Sequence, residues 1–325
     1  MPKDEPRYSA GRVSAPNPLI RPYNPAEIAG AAARIAAGQP VAVPTETVYG
    51  LAADATRGDA VAAIYAAKGR PSFNPLIVHV ADLAAARAIA TFDDAALALA
   101  NAFWPGPLTL VLPLASGHRI AGLATAGLAT VAVRVPAHRA MRALLEATGL
   151  PLAAPSANRS GAISPTRAAH VVASLGDAAG LVIDDGPTAA GLESTIVATG
   201  EPPRLLRPGP VTAEAVAAVL GRSLAGAVPG ELSAPGQLAS HYAPAKPLRL
   251  DATHRGGDEW LIGFGEVGGD DTLSPTGDLS EAASRLFDAL HRADASDKSG
   301  IAVAPVPGTG LGMAINDRLA RAAVR

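Results

Sequence analysis

Basic side chains recur where they can meet anions. Lys68-Gly-Arg70-Pro71-Ser72 follows an apolar helical stretch. Two cations at a helix C-terminus suit its dipole. In an extended loop before Pro71 the same pair can clamp a triphosphate, Arg as a two-pronged donor and Lys as a point charge. Thr130-Val-Ala-Val-Arg134-Val alternates with period two, so Val131, Val133 and Val135 share one face and Thr130, Ala132 and Arg134 the other. An arginine on so apolar a strand needs an anionic partner, either an Asp or Glu of the chain or a substrate carboxylate. Arg207-Pro-Gly-Pro210 places a further cation at a strand end.

Short hydrogen-bonding side chains gather at other junctions. Pro44-Thr-Glu-Thr-Val-Tyr-Gly-Leu51 follows a strand, and its plainer reading is a strand-to-helix turn whose threonines satisfy local backbone groups. Ala154-Pro-Ser156-Ala-Asn158 reads as a turn, and the polar loop from Ser160 to Thr166 leads into a helix N-terminus, a natural anion site. Ser194-Thr195 opens a strand. His79 lies in an apolar strand, where a lone histidine is more often a satisfied core residue. Tyr242, in His241-Tyr-Ala-Pro244, sits in a Gly/Pro-rich stretch with no core to join and reads as a residue that covers something. Gly263-Phe-Gly265-Glu-Val-Gly268 fits a dinucleotide pattern, but Gly269-Asp270-Asp271 follows in place of a helix and would repel pyrophosphate. No metal-ligand cluster is present, and Asp184-Asp185 before Gly186 reads as a turn.

The elements that position these groups follow from periodicity and punctuation. Residues 1–22 read as a flexible, Pro-rich tail. From 23 to 221 short helices alternate irregularly with apolar strands. Ala26–Ala37 is expected helical, as is a segment capped by Asp59, and Thr166 and Thr212 are expected caps for later helices. Leu76–Val80, Leu108–Leu112, Thr130–Val135, Leu181–Ile183, Ser194–Ala198 and Arg204–Leu206 are strand candidates. The mixture predicts an α/β domain with a mixed sheet. Residues 222–247 read as a linker or lid. A smaller α/β unit at 248–325 is expected to contain strands at Leu248–Leu250, Glu259–Phe264 and Ile301–Val303, with helices near Leu279–Arg292 and from Met313.

Composition narrows the chemistry. With 325 residues, two domains are the natural division at ~150 residues each. Net charge is −2 and aromatic content 4%, which argues against a protein that grips phosphate backbones or stacks on bases. The absence of cysteine removes disulfides, zinc–thiolate sites, iron–sulfur clusters and a thiol nucleophile, and fits a cytoplasmic protein. Met1–Pro18 has no signal-peptide apolar core, and the uncharged stretch Ala95–Gly117 contains Pro105, Gly106, Pro107 and Pro113, which would break a membrane-spanning helix.

Taken in order, PTETVYGLA, KGRPSFNPLIVHV, WPGPLTLVL, TVAVRVPAH, APSANRSG with SPT, ESTIV, LRPGP, HYAP and GLGMAINDRLARAA closely resemble the long form of the threonylcarbamoyl-AMP synthase family. The resemblance implies a YrdC-like twisted mixed sheet with flanking helices and a smaller Rossmann-like C-terminal domain. It implies an enzyme that joins ATP, L-threonine and bicarbonate or CO₂ into threonylcarbamoyl-AMP, releasing pyrophosphate. A separate transferase complex would then modify a tRNA adenosine beside the anticodon. By the same resemblance Lys68, Arg70, Ser72, Thr130, Asn158, Thr166, Arg207 and Tyr242 contact ATP, with Lys68 and Arg70 catalytic. Thr45, His79, Arg134, Ser156 and Ser194 surround threonine, with Arg134 on its carboxylate. Mg²⁺ would be held through the nucleotide phosphates. The stretch Ser233-Ala-Pro-Gly-Gln-Leu-Ala-Ser240 departs from the family's basic linker, which leaves Tyr242 as the linker's main contact. The alternatives are an RNA-binding YrdC-like module and a paralogue without synthase activity.

Overall fold

Buried strands of small and β-branched residues build the sheet, and capped helices cover it. The computed structural model describes residues 19–228, 234–235 and 241–324. Residues 1–18 of the expected tail (1–22) and the linker stretches 229–233 and 236–240 lie outside the described residues. Strand β1 (Ile20–Pro22), read from the sequence as tail, pairs with a later strand. Helix α1 (Pro25–Ala36) starts where Asn24 accepts from the Glu27 amide, with proline in the first turn. Then come β2 (Val41–Pro44), β3 (Tyr49–Asp54), α2 (Gly58–Lys68) and β4 (Ile77–His79). The chain continues through α3 (Leu83–Arg87), α4 (Asp94–Phe103), β5 (Leu108–Pro113), α5 (Gly122–Thr125) and β6 (Thr130–Arg134). Next are α6 (Arg139–Thr148), β7 (Leu152–Ala153), α7 (Ala168–Leu175), β8 (Leu181–Asp184) and β9 (Thr195–Ala198). The large unit closes with β10 (Arg204–Arg207), α8 (Ala213–Leu220) and β11 (Ala225–Gly226), the last inside the expected linker.

These strands form one mixed sheet in the order β1-β8-β2-β3-β7-β4-β6-β5-β9-β10-β11. Three local expectations are corrected. Pro44–Leu51 is a tight hairpin between antiparallel β2 and β3, not a turn into a helix. Asp59 does not cap α2; Arg57 precedes the helix and Asp59 pairs with it. Thr166 lies one residue before the cap of α7, which is Arg167, whereas Thr212 does cap α8.

The two faces of the sheet differ. Val131, Val133, Val135, Val78 and Val197 point into the main helix-covered core. Ile77, Val111, Ala132, Ile196 and Leu206 form a small apolar strip on the opposite face, covered by Ala234 of the linker. That thinly covered face, over the middle of the sheet, is where a site can open.

The small unit is a parallel sheet of β12 (Leu248–Arg249), β13 (Glu259–Gly263), β14 (Asp271–Thr272) and β15 (Gly300–Val303), ordered β12-β15-β13-β14. Helices α9 (Leu279–Asp294) and α10 (Leu311–Ala323) pack on it. Its core takes in Val48, Ile163 and Leu192 of the large unit and Tyr242 of the linker, so the two units share buried surface.

Candidate active site

Strand register brings distant basic residues together. β5 runs antiparallel to β6 but parallel to β9, so Thr195 at the start of β9 lies opposite Leu108, beside the end of β6 that carries Arg134. β10 runs antiparallel to β9 and returns Arg207 to the same end, opposite Ile196. The result is a cavity of about 40 Å³ lined by Thr45, Arg70, His79, Arg134, Ser156, Ser194, Arg207 and Tyr242, with Glu193, Pro235 and His241. Eight of the thirteen residues singled out from the sequence therefore meet in one place. That space holds only a few waters as it stands, so its walls must part to admit anything larger.

Hydrogen bonds fix the walls. In the hairpin, the Thr45 hydroxyl donates to Val48 O and accepts from the Thr47 and Val48 amides, which is the local role expected of a turn threonine. Arg134 donates to Gly106 O, to the Thr47 hydroxyl at 3.0 Å and to Glu46 at 2.5 Å. Of the two partners the sequence left open, a carboxylate of the chain is thus present, and three of the five guanidinium N–H groups are used. Burial opposes the charge on Glu46, but Arg134 and backbone amides outweigh it and hold the carboxyl below its usual range. Arg207 donates to Ser194 O, the Ser194 hydroxyl and Pro235 O. Arg70 donates to the carbonyls of Asn74 and Pro75, and burial lowers its pKa to about 10.

Among the described residues, several buried polar atoms here have no hydrogen-bond partner: Arg70 Nε, His79 Nδ1, His241 Nδ1 and Tyr242 Oη. Buried polar groups are almost always satisfied, so such a cluster is the mark of a place that receives a polar ligand. Burial, helped by Arg134, pushes His79 down to about 3, and burial takes His241 to about 3; both rings are neutral at pH 7. The expectation that Tyr242 has no core to join is corrected, because its ring packs 5.5 Å from Phe287 while its edge lines the cavity.

Five of the sequence-derived residues stand outside the cavity walls. Lys68 is buried, and its ammonium donates to the carbonyls of Ser156 and Asn158. Burial, then Arg70, pushes its pKa well down. Asn158 donates to Arg159 O and Ala162 O, while its own Oδ1 is buried with no partner among the described residues. Thr130 lies on the same open face, at a cavity of about 470 Å³ that also borders Val111, Ala198, Arg204 and Leu206. Ser72 is exposed on the loop after α2. Thr166 borders a cavity shared with Ser284, Arg285 and Asp288 of α9, its amide donating to His170 Nδ1.

Sequence reasoning passed over Glu46 and Glu193, though each adjoins a residue it chose. It also passed over Asn74, whose buried Oδ1 has no partner among the described residues, and Arg318 of α10, which bonds Glu193 at 2.9 Å. The missing signal was charge: a carboxylate beside a pocket-lining threonine or serine needs a cation, and each chain arginine found it across a long sequence separation.

The fold and this cavity define a YrdC-type α/β domain with an appended smaller α/β domain. Residues 33–209 match the family model described as "Telomere recombination", that of the Sua5/YciO/YrdC domain. Residues 211–324 match the model of the threonylcarbamoyl-AMP synthase C-terminal domain. The chain is 40% identical to the threonylcarbamoyl-AMP synthase of Bacillus subtilis, covering 92% of this chain and 94% of the relative. It is 39% identical to that of Pyrococcus abyssi, over 90% and 92% respectively. The crystal structure of P. abyssi Sua5 complexed with L-threonine superposes with a TM-score of 0.86 at 37% identity, over 94% of this chain and 96% of that one. The chain belongs to the threonylcarbamoyl-AMP synthase family, in its two-domain form. It is a nucleotidyltransferase that makes threonylcarbamoyl-AMP for tRNA modification. Among the described residues, no helix is long and apolar enough to cross a membrane.

Proposed function

We propose that the cavity under Tyr242 receives threonine and the triphosphate of ATP together, and that catalysis is by positioning and charge. The observation that carries this reading is the meeting of Arg70, Arg134 and Arg207 on one wall with unpartnered buried polar atoms. Arg134, oriented by Glu46 and Thr47, takes the threonine carboxylate, with Thr45, His79, Ser156 and Ser194 around the rest of the amino acid. Arg70 and Arg207 take the phosphates. Lys68 acts from behind, holding the Ser156–Asn158 backbone, while Ser72, Asn158 and Thr166 complete the nucleotide contacts. The larger cavity beside Thr130, reached along Ile77, Ala132, Ile196 and Leu206, has room for the nucleoside.

The threonine amine adds to CO₂ and loses a proton, forming a carbamate. A carbamate oxygen attacks the α-phosphorus as the bond to pyrophosphate breaks, and both reactants are held in line. No group of three His, Asp or Glu that could hold a metal occurs among the described residues, and Glu46 and Glu193 are committed to arginines. Mg²⁺ therefore fits as an ion carried by the phosphates and water. The product passes to a downstream transferase, and the near-neutral charge suits a cytoplasmic enzyme that needs no tight hold on tRNA.

The test is incubation with ATP, Mg²⁺, bicarbonate and L-threonine, following pyrophosphate and the adenylate. Threonine-dependent release of both is expected. Pyrophosphate release that is indifferent to threonine refutes the reading.

A further inference from the structure

The last helix of the small unit sends one side chain into the wall of the site. Arg318 of α10 is 0% exposed, the largest of the fully buried side chains. Its Nε donates to Glu193 at 2.9 Å and its Nη1 to Asp317 at 2.7 Å. Its guanidinium lies over the Tyr242 ring, 5.3 Å from the centroid. Glu193 lines the cavity, accepts from the Ser164 hydroxyl, and immediately precedes Ser194, whose carbonyl and hydroxyl both hold Arg207. Tyr242 sits at φ 64°, a conformation that costs a non-glycine residue and persists only where surrounding contacts impose it. Those contacts are Arg318 on one side and Phe287 and His241 around the ring.

A buried ion pair between two units is weak evidence of stability, since apolar residues of similar volume often serve as well. What it does supply is direction: one guanidinium sets both a carboxylate and a ring plane. We propose that Arg318 is a positioning residue for the synthase reaction, through which the small unit orients the Tyr242 cover and, by way of Glu193, the Ser194–Arg207 wall. The proposal rests on the site described above. It gives the small unit a task in the reaction without any atom of it touching substrate.

The test uses the full chain and compares Arg318→Met with Arg318→Lys, in the native background and with Tyr242→Leu. Fold is followed by circular dichroism and thermal midpoint, and KM for ATP and kcat by threonine-dependent pyrophosphate release. Removing a cation from over an aromatic ring and from a buried carboxylate is expected to raise KM for ATP about tenfold, more than it lowers kcat. Because part of the effect runs through Tyr242 and part through Glu193, Arg318→Met is expected to raise KM for ATP less in the Tyr242→Leu background than in the native one. Should Arg318→Met fail to fold, Arg318→Lys keeps the charge beside Glu193 but not the planar stack, and the same pattern is expected of it. A lower kcat proportional to the folded fraction with unchanged KM, or equal losses in both backgrounds, overturns the proposal. An inactive native chain would instead refute the function itself, so the two failures are distinct.

Discussion

Arg134 is the residue whose replacement separates architecture from binding. It is 3% exposed and bonded to Glu46, whose side chain is 13% exposed. In Arg134→Met the carboxylate keeps its burial and loses its cation. Removing one partner of a buried pair costs about 3–5 kcal/mol, which at roughly 2–4 °C per kcal/mol lowers the thermal midpoint on the order of 10 °C. Threonine should suffer separately. A charge-assisted hydrogen bond is worth about 1.5–3 kcal/mol, so KM for threonine should rise roughly 10- to 150-fold, with KM for ATP much less affected.

The double variant Arg134→Met/Glu46→Gln distinguishes the two losses. Neutralising the orphaned carboxylate should return most of the lost stability, while threonine affinity stays low because the cation is still missing. Thermal melts and threonine saturation curves on the three proteins decide it. Recovery of threonine affinity together with stability would refute the reasoning, since Arg134 would then serve only the fold. A pH series adds an independent check. In the native protein Arg134 helps hold Glu46 below its ordinary 4.5, so the pair stabilises above that pH and is lost as pH falls through the folded value. In Arg134→Met burial is unopposed by the arginine and raises the Glu46 pKa, so the stability gap to the native protein should narrow as the medium is acidified.

Acid should also act through the buried histidines. His79, His170 and His241 are each held down to about 3, chiefly by burial, so below 6.5 the unfolded chain takes up protons that the folded chain refuses. Thermal midpoint should therefore fall as pH drops from 6.5 toward 3, and a flat profile between pH 7 and 5 would contradict their burial as neutral rings. Gly191 has φ +68°, and a Cβ there would come 2.5 Å from Ala283 O and from the Ser284 Cα of α9. Gly191→Ala should cost roughly 2–4 kcal/mol through strain and overpacking, seen as a lower midpoint and faster proteolysis between the units; native-like values would show that the contact yields.

The alternating strand at Thr130–Arg134 was legible because one face is valine and the other carries the arginine, and the structure keeps that division. Strand β3, Tyr-Gly-Leu-Ala-Ala-Asp, was not, because it is buried on both faces and so has no period-two contrast to show. Caps were mixed for a similar reason. Asp59 resembles a cap in isolation, but Arg57 lies two residues away and takes its carboxylate. At the site, residue types were readable and partners were not. Thr45 could be marked as a turn hydroxyl, whereas nothing local says that neighbouring Glu46 will meet an arginine 88 residues on, or that Glu193 will meet one 125 residues on. The covering role of Tyr242 was inferred from its lack of neighbours in sequence, yet its burial comes from a core assembled by α9 and α10.

The balance of charge inside the cavity indicates what it awaits. Arg134 and Arg318 each have a carboxylate, Glu46 and Glu193, but Arg70 and Arg207 form no ion pair among the described residues. They are 8% and 5% exposed, bonded to carbonyls and one hydroxyl, and burial lowers the pKa of both. Glu193 acts on Arg207 from beyond ion-pair distance, but buried charge without a directly paired counter-charge is costly, and a chain with 29 acidic residues against 27 basic ones has carboxylates enough to pair it. A ligand carrying several negative charges relieves that cost on binding, and relieves it most where charge accumulates on the departing pyrophosphate. On the proposed assignment, guanidinium groups fixed before substrate arrives would stabilise that charge without reorganising.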